Sequence, residues 1–179
     1  MRLSVCHEPR REKKFLSRME SRHAGALLVG AEARDPEVEY GWIEPGPAIS
    51  SASPADLSRV NRFREKPSLP IARELLRRGC LWNTFVTIGQ AGAFLELLCA
   101  EIPDVMFRMA AALTDNDLDP AYREVRAADF SRDVLAPQPH RLLVLRDAAS
   151  GWTDLGNPAR VFDTLVRHSI EPAWLTRIG

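Results

Sequence analysis

The chain reads Ala26-Leu27-Leu28-Val29-Gly30 shortly before its first proline-rich loop, a continuous apolar run that glycine ends. Such a run predicts a strand buried on both faces of a parallel or mixed sheet. Leu142-Leu143-Val144-Leu145 is a shorter run of the same kind late in the chain. We therefore expect a sheet core to which distant parts of the chain contribute.

Between these two runs the sequence alternates between strand and helix patterns. Residues 38–44, 57–66 and 81–88 predict strands, with a turn at 45–47 and a loop through 48–56. Helical periodicity covers residues 9–23, 69–78, 91–100 and 102–113, and residues 114–120 predict a loop. Pro158 opens a last helix capped by Asn157, whose inner face we expect to hold Val161, Phe162, Leu165 and Val166. The pattern indicates a single α/β domain over residues 1–179, with a mixed, mostly parallel sheet flanked by helices.

The composition favours a soluble globular protein whose binding is local. Of the 179 residues 45% are hydrophobic and 27% charged, and 24 basic residues balance 24 acidic ones. A net charge of zero argues against nucleic acid and against an anionic membrane as partners. The three cysteines, Cys6, Cys80 and Cys99, show neither zinc spacing nor a disulfide framework, which predicts a reducing cytoplasm. No apolar run is long enough for a signal peptide or a membrane span.

Two charged residues stand together at the end of the predicted third strand. Glu65 and Lys66 precede Pro67, at a strand end of the kind where open α/β sheets hold ligands. A carboxylate accepts hydrogen bonds from sugar hydroxyls, and a lysine ammonium binds phosphate. An exposed ion pair that caps the strand would explain the same two residues.

Three further positions carry polar or conformational signals. Gly41 interrupts a strand-like stretch, which indicates the close approach of a ligand or of another backbone, or a bulge. Asn83 lies among apolar residues and needs hydrogen-bond partners, from a bound sugar or from the backbone. Asp154 lies between two glycines after a buried strand and could bind a hard cation such as magnesium, or cap a turn. The four histidines form no metal-binding pair, and Asp129 predicts a helix cap.

Four short motifs follow one another along the chain: Tyr40-Gly41-Trp42-Ile43-Glu44, Arg62-Phe63-Arg64-Glu65-Lys66-Pro67, Leu81-Trp82-Asn83-Thr84 and Gly151-Trp152-Thr153-Asp154-Leu155-Gly156. Together they resemble the sugar-1-phosphate nucleotidyltransferases, in particular the mannose-1-phosphate guanylyltransferase type, from about residue 26 to residue 165.

This resemblance implies a Rossmann-like fold and transfer of a nucleotidyl group from a nucleoside triphosphate, GTP, to a sugar 1-phosphate. It implies that Gly41 and Asn83 contact the sugar, that Glu65 binds its hydroxyls and that Lys66 is a catalytic residue that binds its phosphate. It also implies that Asp154 is a catalytic ligand of Mg²⁺, whose second ligand this chain lacks.

The chain departs from the family pattern in two places. Phe85 stands where the family has a glycine after the sugar-binding amide, and the glycine-rich loop of the Gly-Gly-x-Gly-x-Arg-Leu type is missing. We therefore expect a truncated nucleotidyltransferase without its N-terminal nucleotide-binding strands, with an exposed sheet edge. The alternative is a non-catalytic sugar-phosphate-binding or regulatory module that acts through a partner chain covering this edge, or as a homo-oligomer.

Overall fold

The protein is described from a computed structural model that covers residues 25–49, 57–115 and 118–172. The predicted helix over residues 9–23 therefore lies outside the described residues, as does most of the predicted loop before the third strand. The elements follow one another as β1 (Ala26–Glu32), β2 (Gly41–Ala48), β3 (Leu57–Glu65), α1 (Leu69–Arg77), β4 (Leu81–Ile88), α2 (Ala91–Glu101), α3 (Pro103–Asp115), α4 (Leu118–Glu124), a π-helical turn (Phe130–Leu135), a 3-10 turn (Pro139–Arg141), β5 (Leu142–Asp147) and α5 (Pro158–Arg167).

The strands pair in the order β1-β4-β2-β3-β5, and β5 returns to β1 so that the ring closes. The mixed α/β sheet with flanking helices is confirmed, but parallel pairing does not dominate it: β1 and β5 are parallel, whereas the other four pairings are antiparallel. Five strands that alternate in direction around a closed ring leave two neighbours running the same way, which explains the one parallel pair. The expected exposed edge is wrong for the described strands, since each has two neighbours.

The main core draws alternate residues from all five strands. Leu28, Ile43, Phe63, Leu81 and Val144 represent them and are almost completely buried. Side chains two residues apart on a strand share a face, so this periodicity gives the strands their register. Helix α2 and the π-helical turn complete the core with Leu97, Val134 and Leu135.

A second core lies on the opposite face of β2 and β4, where helix α1 packs. Tyr40, Trp42 and Trp82 contribute aromatic rings to it, and α1 contributes Ala72 and Leu75. The rings meet edge to face, with 5.2 Å between the centroids of Tyr40 and Trp82 and 6.2 Å between those of Trp42 and Trp82. These are the separations at which aromatic pairs are favourable.

Three details of the predicted elements need correction. Strand β2 begins at Gly41 and continues to Ala48, through the prolines that predicted a turn. The strand accommodates these prolines because its pairing with β3 is irregular beyond Glu44. Helix α4 begins at Leu118, inside the predicted loop. On α5, Phe162 and Val166 are 44% and 79% exposed, so only Val161 and Leu165 of the expected inner face are partly covered.

No helix in the described part of the chain is long and apolar enough to cross a membrane.

Candidate functional site

Three of the predicted site residues meet where β2 begins, β3 ends and β4 passes. Gly41 pairs with Glu65 across the antiparallel ladder. A Cβ atom added to Gly41 would lie 2.8 Å from Oε2 of Glu65 and 3.2 Å from Cβ of Asn83. Gly41 is therefore required by close approach, and Gly41, Glu65 and Asn83 form what we call the polar cluster.

The polar cluster continues the face of the main core. Gly41, Glu65 and Asn83 each lie two residues from a main-core residue on their own strand, respectively Ile43, Phe63 and Leu81. This placement buries polar atoms: Asn83 is only 1% exposed. Neither Oε2 of Glu65 nor Nδ2 of Asn83 has a hydrogen-bond partner among the described residues. Leaving such an atom unpaired costs about 1–3 kcal/mol, so we expect a water molecule or a ligand group to pair with each of them.

The electrostatics of the cluster depend on its burial. Burial raises the pKa of the Glu65 carboxyl, and the Asp129 carboxylate adds to the rise. The positive charges of Lys66 and Arg132 lower the pKa of Glu65 but do not cancel the rise. The charged form of Glu65 is therefore destabilised overall, and hydrogen-bond donors on a ligand would stabilise it.

Asn83 leads into a bulge on β4 that holds its amide in place. Opposite β1, the pairing jumps from Thr87 to Asn83. The Thr84 hydroxyl donates a 2.7 Å hydrogen bond to the Val29 carbonyl, and the Phe85 amide donates to Oδ1 of Asn83. Phe85 has φ 62°, a left-handed conformation that favours glycine. Phe85 thus has a backbone conformation suited to glycine, the residue that the family pattern has at this position.

Lys66 follows Glu65 at the rim of the cluster. Its backbone has φ 43°, which turns the chain out of β3. The Lys66 amide donates a 3.2 Å hydrogen bond to the carbonyl of Tyr40, and Lys66 is exposed. A cation in this position is open to an incoming phosphate.

Asp154 belongs to a neighbouring group, which we call the Asp154 cluster and which consists of Glu37, Tyr40, Asp154 and Arg160. Oδ1 of Asp154 accepts hydrogen bonds from the Tyr40 hydroxyl at 2.9 Å, from the Gly156 amide at 3.2 Å and from Arg160. The Arg160 guanidinium also pairs with Glu37 at 2.7 Å and lies 4.5 Å from the centroid of the Tyr40 ring. Burial acts to raise the pKa of Asp154, but these hydrogen bonds and the charge of Arg160 outweigh it and lower the pKa.

The two clusters meet at the Tyr40-Gly41 peptide. Gly41 faces the main core, whereas Tyr40 packs with the second core. The structure thus brings Gly41, Glu65 and Asn83 together, with Lys66 beside them, whereas Asp154 is joined to them only through Tyr40. The partners of Asp154 were missed in the sequence: Tyr40 stands in a noted motif, but nothing local to Arg160 signals its contact with Glu37, 123 residues away.

The described residues do not make a metal site of Asp154. They include no group of three His, Cys, Asp or Glu side chains that could hold a metal ion. One oxygen of Asp154 already accepts three hydrogen bonds, and its nearest charged partner is a cation. Magnesium takes one or two carboxylates together with phosphate oxygens, so the arrangement does not fit the ion by itself.

The protein is thus a mixed α/β protein whose candidate site gathers a glycine, a carboxylate, an amide and a lysine where β2 begins and β3 ends. A family model described as "Nucleotidyl transferase" matches residues 8–167. The chain belongs to this nucleotidyl transferase family.

Curated relatives agree with this family. The chain is 28% identical over 137 residues to the alginate biosynthesis protein AlgA of Pseudomonas syringae pv. tomato, covering 73% of this chain and 28% of that protein. It is 29% identical over 142 residues to the mannose-1-phosphate guanylyltransferase ManC of Salmonella typhimurium, covering 75% and 30%. The chain thus spans less than a third of the length of these relatives.

Two solved structures share the fold. A Thermus thermophilus protein described as mannose-1-phosphate geranyltransferase superposes with a TM-score of 0.63 at 23% identity, covering 78% of this chain and 39% of that one. A Helicobacter pylori mannose-6-phosphate isomerase gives a TM-score of 0.62 at 22% identity, covering 81% and 57%. At these identities the likeness concerns the fold alone.

Proposed function

We propose that this chain holds the sugar 1-phosphate in a nucleotidyl transfer of the mannose-1-phosphate guanylyltransferase type. The substrates would be a mannose 1-phosphate-like sugar phosphate and GTP, and the products a nucleotide sugar and pyrophosphate. The observation that carries the proposal is the convergence of Gly41, Glu65 and Asn83, with two buried polar atoms that lack partners among the described residues.

Each residue of the polar cluster has a chemical task in this proposal. Glu65 accepts hydrogen bonds from sugar hydroxyls, and the Asn83 amide donates to a hydroxyl or ring oxygen. Gly41 leaves room for the sugar to approach the backbone once Glu65 reorients toward it. Lys66 at the rim binds the phosphate of the sugar by charge.

The transfer itself asks for positioning and charge compensation. An oxygen of the sugar phosphate attacks the α-phosphorus of the triphosphate, the bond from that phosphorus to the bridging oxygen breaks, and pyrophosphate leaves with its electron pair. Holding the attacking oxygen in line with this bond lowers the barrier, and Lys66 offsets the charge on the attacking phosphate. The role of Asp154 as a ligand of Mg²⁺ stays a prediction, and no step here depends on it.

A second candidate is a sugar-phosphate-binding or regulatory module that acts with a partner chain or a second copy of itself. This role requires only the polar cluster, and not the glycine-rich phosphate loop that the given sequence does not contain. Backbone amides in such loops normally surround the phosphates. Both candidates use the polar cluster, and they differ in turnover. A cytoplasmic location suits either one.

Calorimetric titration of the full chain tests the shared part of both proposals. We expect mannose 1-phosphate to bind weakly, and Lys66→Ala and Asn83→Leu to weaken binding about tenfold or more. Arg73→Ala, which removes an exposed cation from α1, serves as the matched control and should leave affinity unchanged. Equal affinity in all four proteins would refute the assigned site. Pyrophosphate release with GTP and Mg²⁺ then separates the transferase from the module.

A further inference from the structure

Another buried polar atom on the main-core side lacks a partner. Within the described ranges, Oγ of Ser131 has no hydrogen-bond partner, as is true of Oε2 of Glu65 and Nδ2 of Asn83. Ser131 is 2% exposed. Buried hydroxyls in native proteins are nearly always paired, so an unpaired one marks a position where a water molecule or a ligand group can bind.

The position of Ser131 connects it to the polar cluster. Ser131 lies in the π-helical turn, which packs against β3 and sends Val134 and Leu135 into the main core. Asp129 and Arg132 stand on either side of Ser131 in the chain. The charge of Asp129 raises the pKa of Glu65 and the charge of Arg132 lowers it, so both residues lie near that carboxyl. The turn therefore borders the end of β3, with Ser131 on its buried side.

The π-helical turn is held firmly at both ends. The Asp129 carboxylate accepts the amide of Arg132 at 2.8 Å, and Asp133 accepts the amide of Asp129 at 2.7 Å, in a reciprocal cap. After the turn, the Gln138 side chain donates to the carbonyls of Leu97 and Val134. Single π-helical turns are frequent at functional sites, and this one presents Ser131 in a fixed place.

We propose that Ser131 is a further sugar-binding residue, which forms with Glu65 and Asn83 a set that recognises adjacent hydroxyls of the sugar ring. The inference rests on the proposed sugar-phosphate site. A carboxylate accepts, an amide donates, and the serine hydroxyl does both, which matches neighbouring ring hydroxyls that also do both. Ser131 sets specificity for the sugar ring and leaves the phosphate to Lys66.

Calorimetry with mannose 1-phosphate and thermal unfolding of the full chain test this role together. Ser131→Ala should weaken binding about five- to tenfold. It should leave Tm unchanged or slightly raised, because the hydroxyl has no protein partner to lose. Ser58→Ala is the matched control, since Ser58 lies at the opposite end of β3, and it should not affect affinity. Ser131→Cys, of nearly equal size, should recover part of the lost affinity.

Deoxy analogues of mannose 1-phosphate locate the contact. One deoxy analogue should bind the wild-type chain more weakly than mannose 1-phosphate does, by the same factor as the Ser131→Ala change weakens mannose 1-phosphate binding. Ser131→Ala should bind this analogue and mannose 1-phosphate with equal affinity. Inorganic phosphate, which lacks the ring, should bind both proteins equally.

Three results would each contradict a different part of the proposal. Unchanged sugar-phosphate affinity in Ser131→Ala refutes the role of Ser131 while the proposed function stands. A lower Tm with unchanged affinity assigns the hydroxyl to an internal water. Failure of the wild-type chain to bind any of the sugar phosphates refutes the proposed function, and the inference falls with it.

Discussion

The hydroxyl of Tyr40 donates a 2.9 Å hydrogen bond to Oδ1 of Asp154, across 114 residues of sequence. The same Tyr40 accepts the amide of Lys66 through its carbonyl. One residue therefore ties the end of β3 to the loop after β5. This makes Tyr40 the structural link between the lysine and the carboxylate that the family resemblance assigns to phosphate and metal.

Tyr40→Phe should destabilise the chain by about 1 kcal/mol, because it removes a hydrogen bond to a partly exposed carboxylate and keeps the ring packing. Tyr122→Phe, at an exposed position of α4, is the control and should have no effect. Urea unfolding followed by tryptophan fluorescence measures both. Equal midpoints for Tyr40→Phe and wild type would show that the link carries no stability.

Gly41→Ala should destabilise the chain by about 1–3 kcal/mol, because the new methyl group would crowd Glu65 and Asn83. It should also weaken mannose 1-phosphate binding. Gly92→Ala on α2 provides the contrast, since a Cβ there meets nothing within 4 Å. That change should stabilise the helix by up to about 1 kcal/mol. A Gly41→Ala protein with wild-type unfolding and binding would contradict the close approach.

Phe85→Gly should raise stability by about 0.5–1 kcal/mol. The left-handed backbone of Phe85 is costly for any residue with a Cβ, and its side chain is 64% exposed, so little packing is lost. Val86→Gly, one residue further along the same bulge, should instead destabilise. Chemical denaturation of the two variants decides the matter, and a loss of stability in Phe85→Gly would mean that its ring contributes more than its backbone costs.

The raised pKa of Glu65 predicts a pH-dependent stability. The folded state binds the Glu65 proton more tightly than the unfolded state does. The resulting stabilisation of the fold is present below pH 4.5 and is lost as the pH rises through the folded pKa. Glu65→Gln should therefore raise Tm at pH 7, by about 2–4 °C, and the gain should shrink toward pH 4.5.

Glu74→Gln tests the sign of this effect. The pKa of Glu74 is lowered, chiefly by its hydrogen bonds from Arg77, so this variant should lose a little stability at pH 7 and approach wild type in acid. Glu65→Gln that loses stability at pH 7 would contradict the assigned burial of the carboxylate.

Local patterns in the sequence predicted most elements to within a residue or two. The continuous apolar run of β1 and the β-rich composition of β4 are properties of neighbouring residues, and their strands match. By contrast, Pro45 and Pro47 indicate a turn when considered alone. Only their partner strand β3 shows that the ladder passes through them.

The candidate site divides in the same way. The family resemblance implied that Gly41, Glu65 and Asn83 contact one sugar, and the three residues lie side by side. The pairing of Arg160 with both Glu37 and Asp154 depends on how the last helix returns to the sheet. No local pattern carries that information, and the same is true of the pairing of Leu57 with Leu145 that completes the ring.

Every strand in the described ring pairs with a neighbour on both sides, so none of them offers a free edge to an additional strand. Any additional strand, from this protein or another, would first have to displace an existing neighbour and forfeit its backbone hydrogen bonds. The least extensive seam joins β2 to β4, at Trp42 and Ile43. Recruitment of another polypeptide would therefore proceed by contact with helices and loops, or by opening that seam immediately beside Gly41.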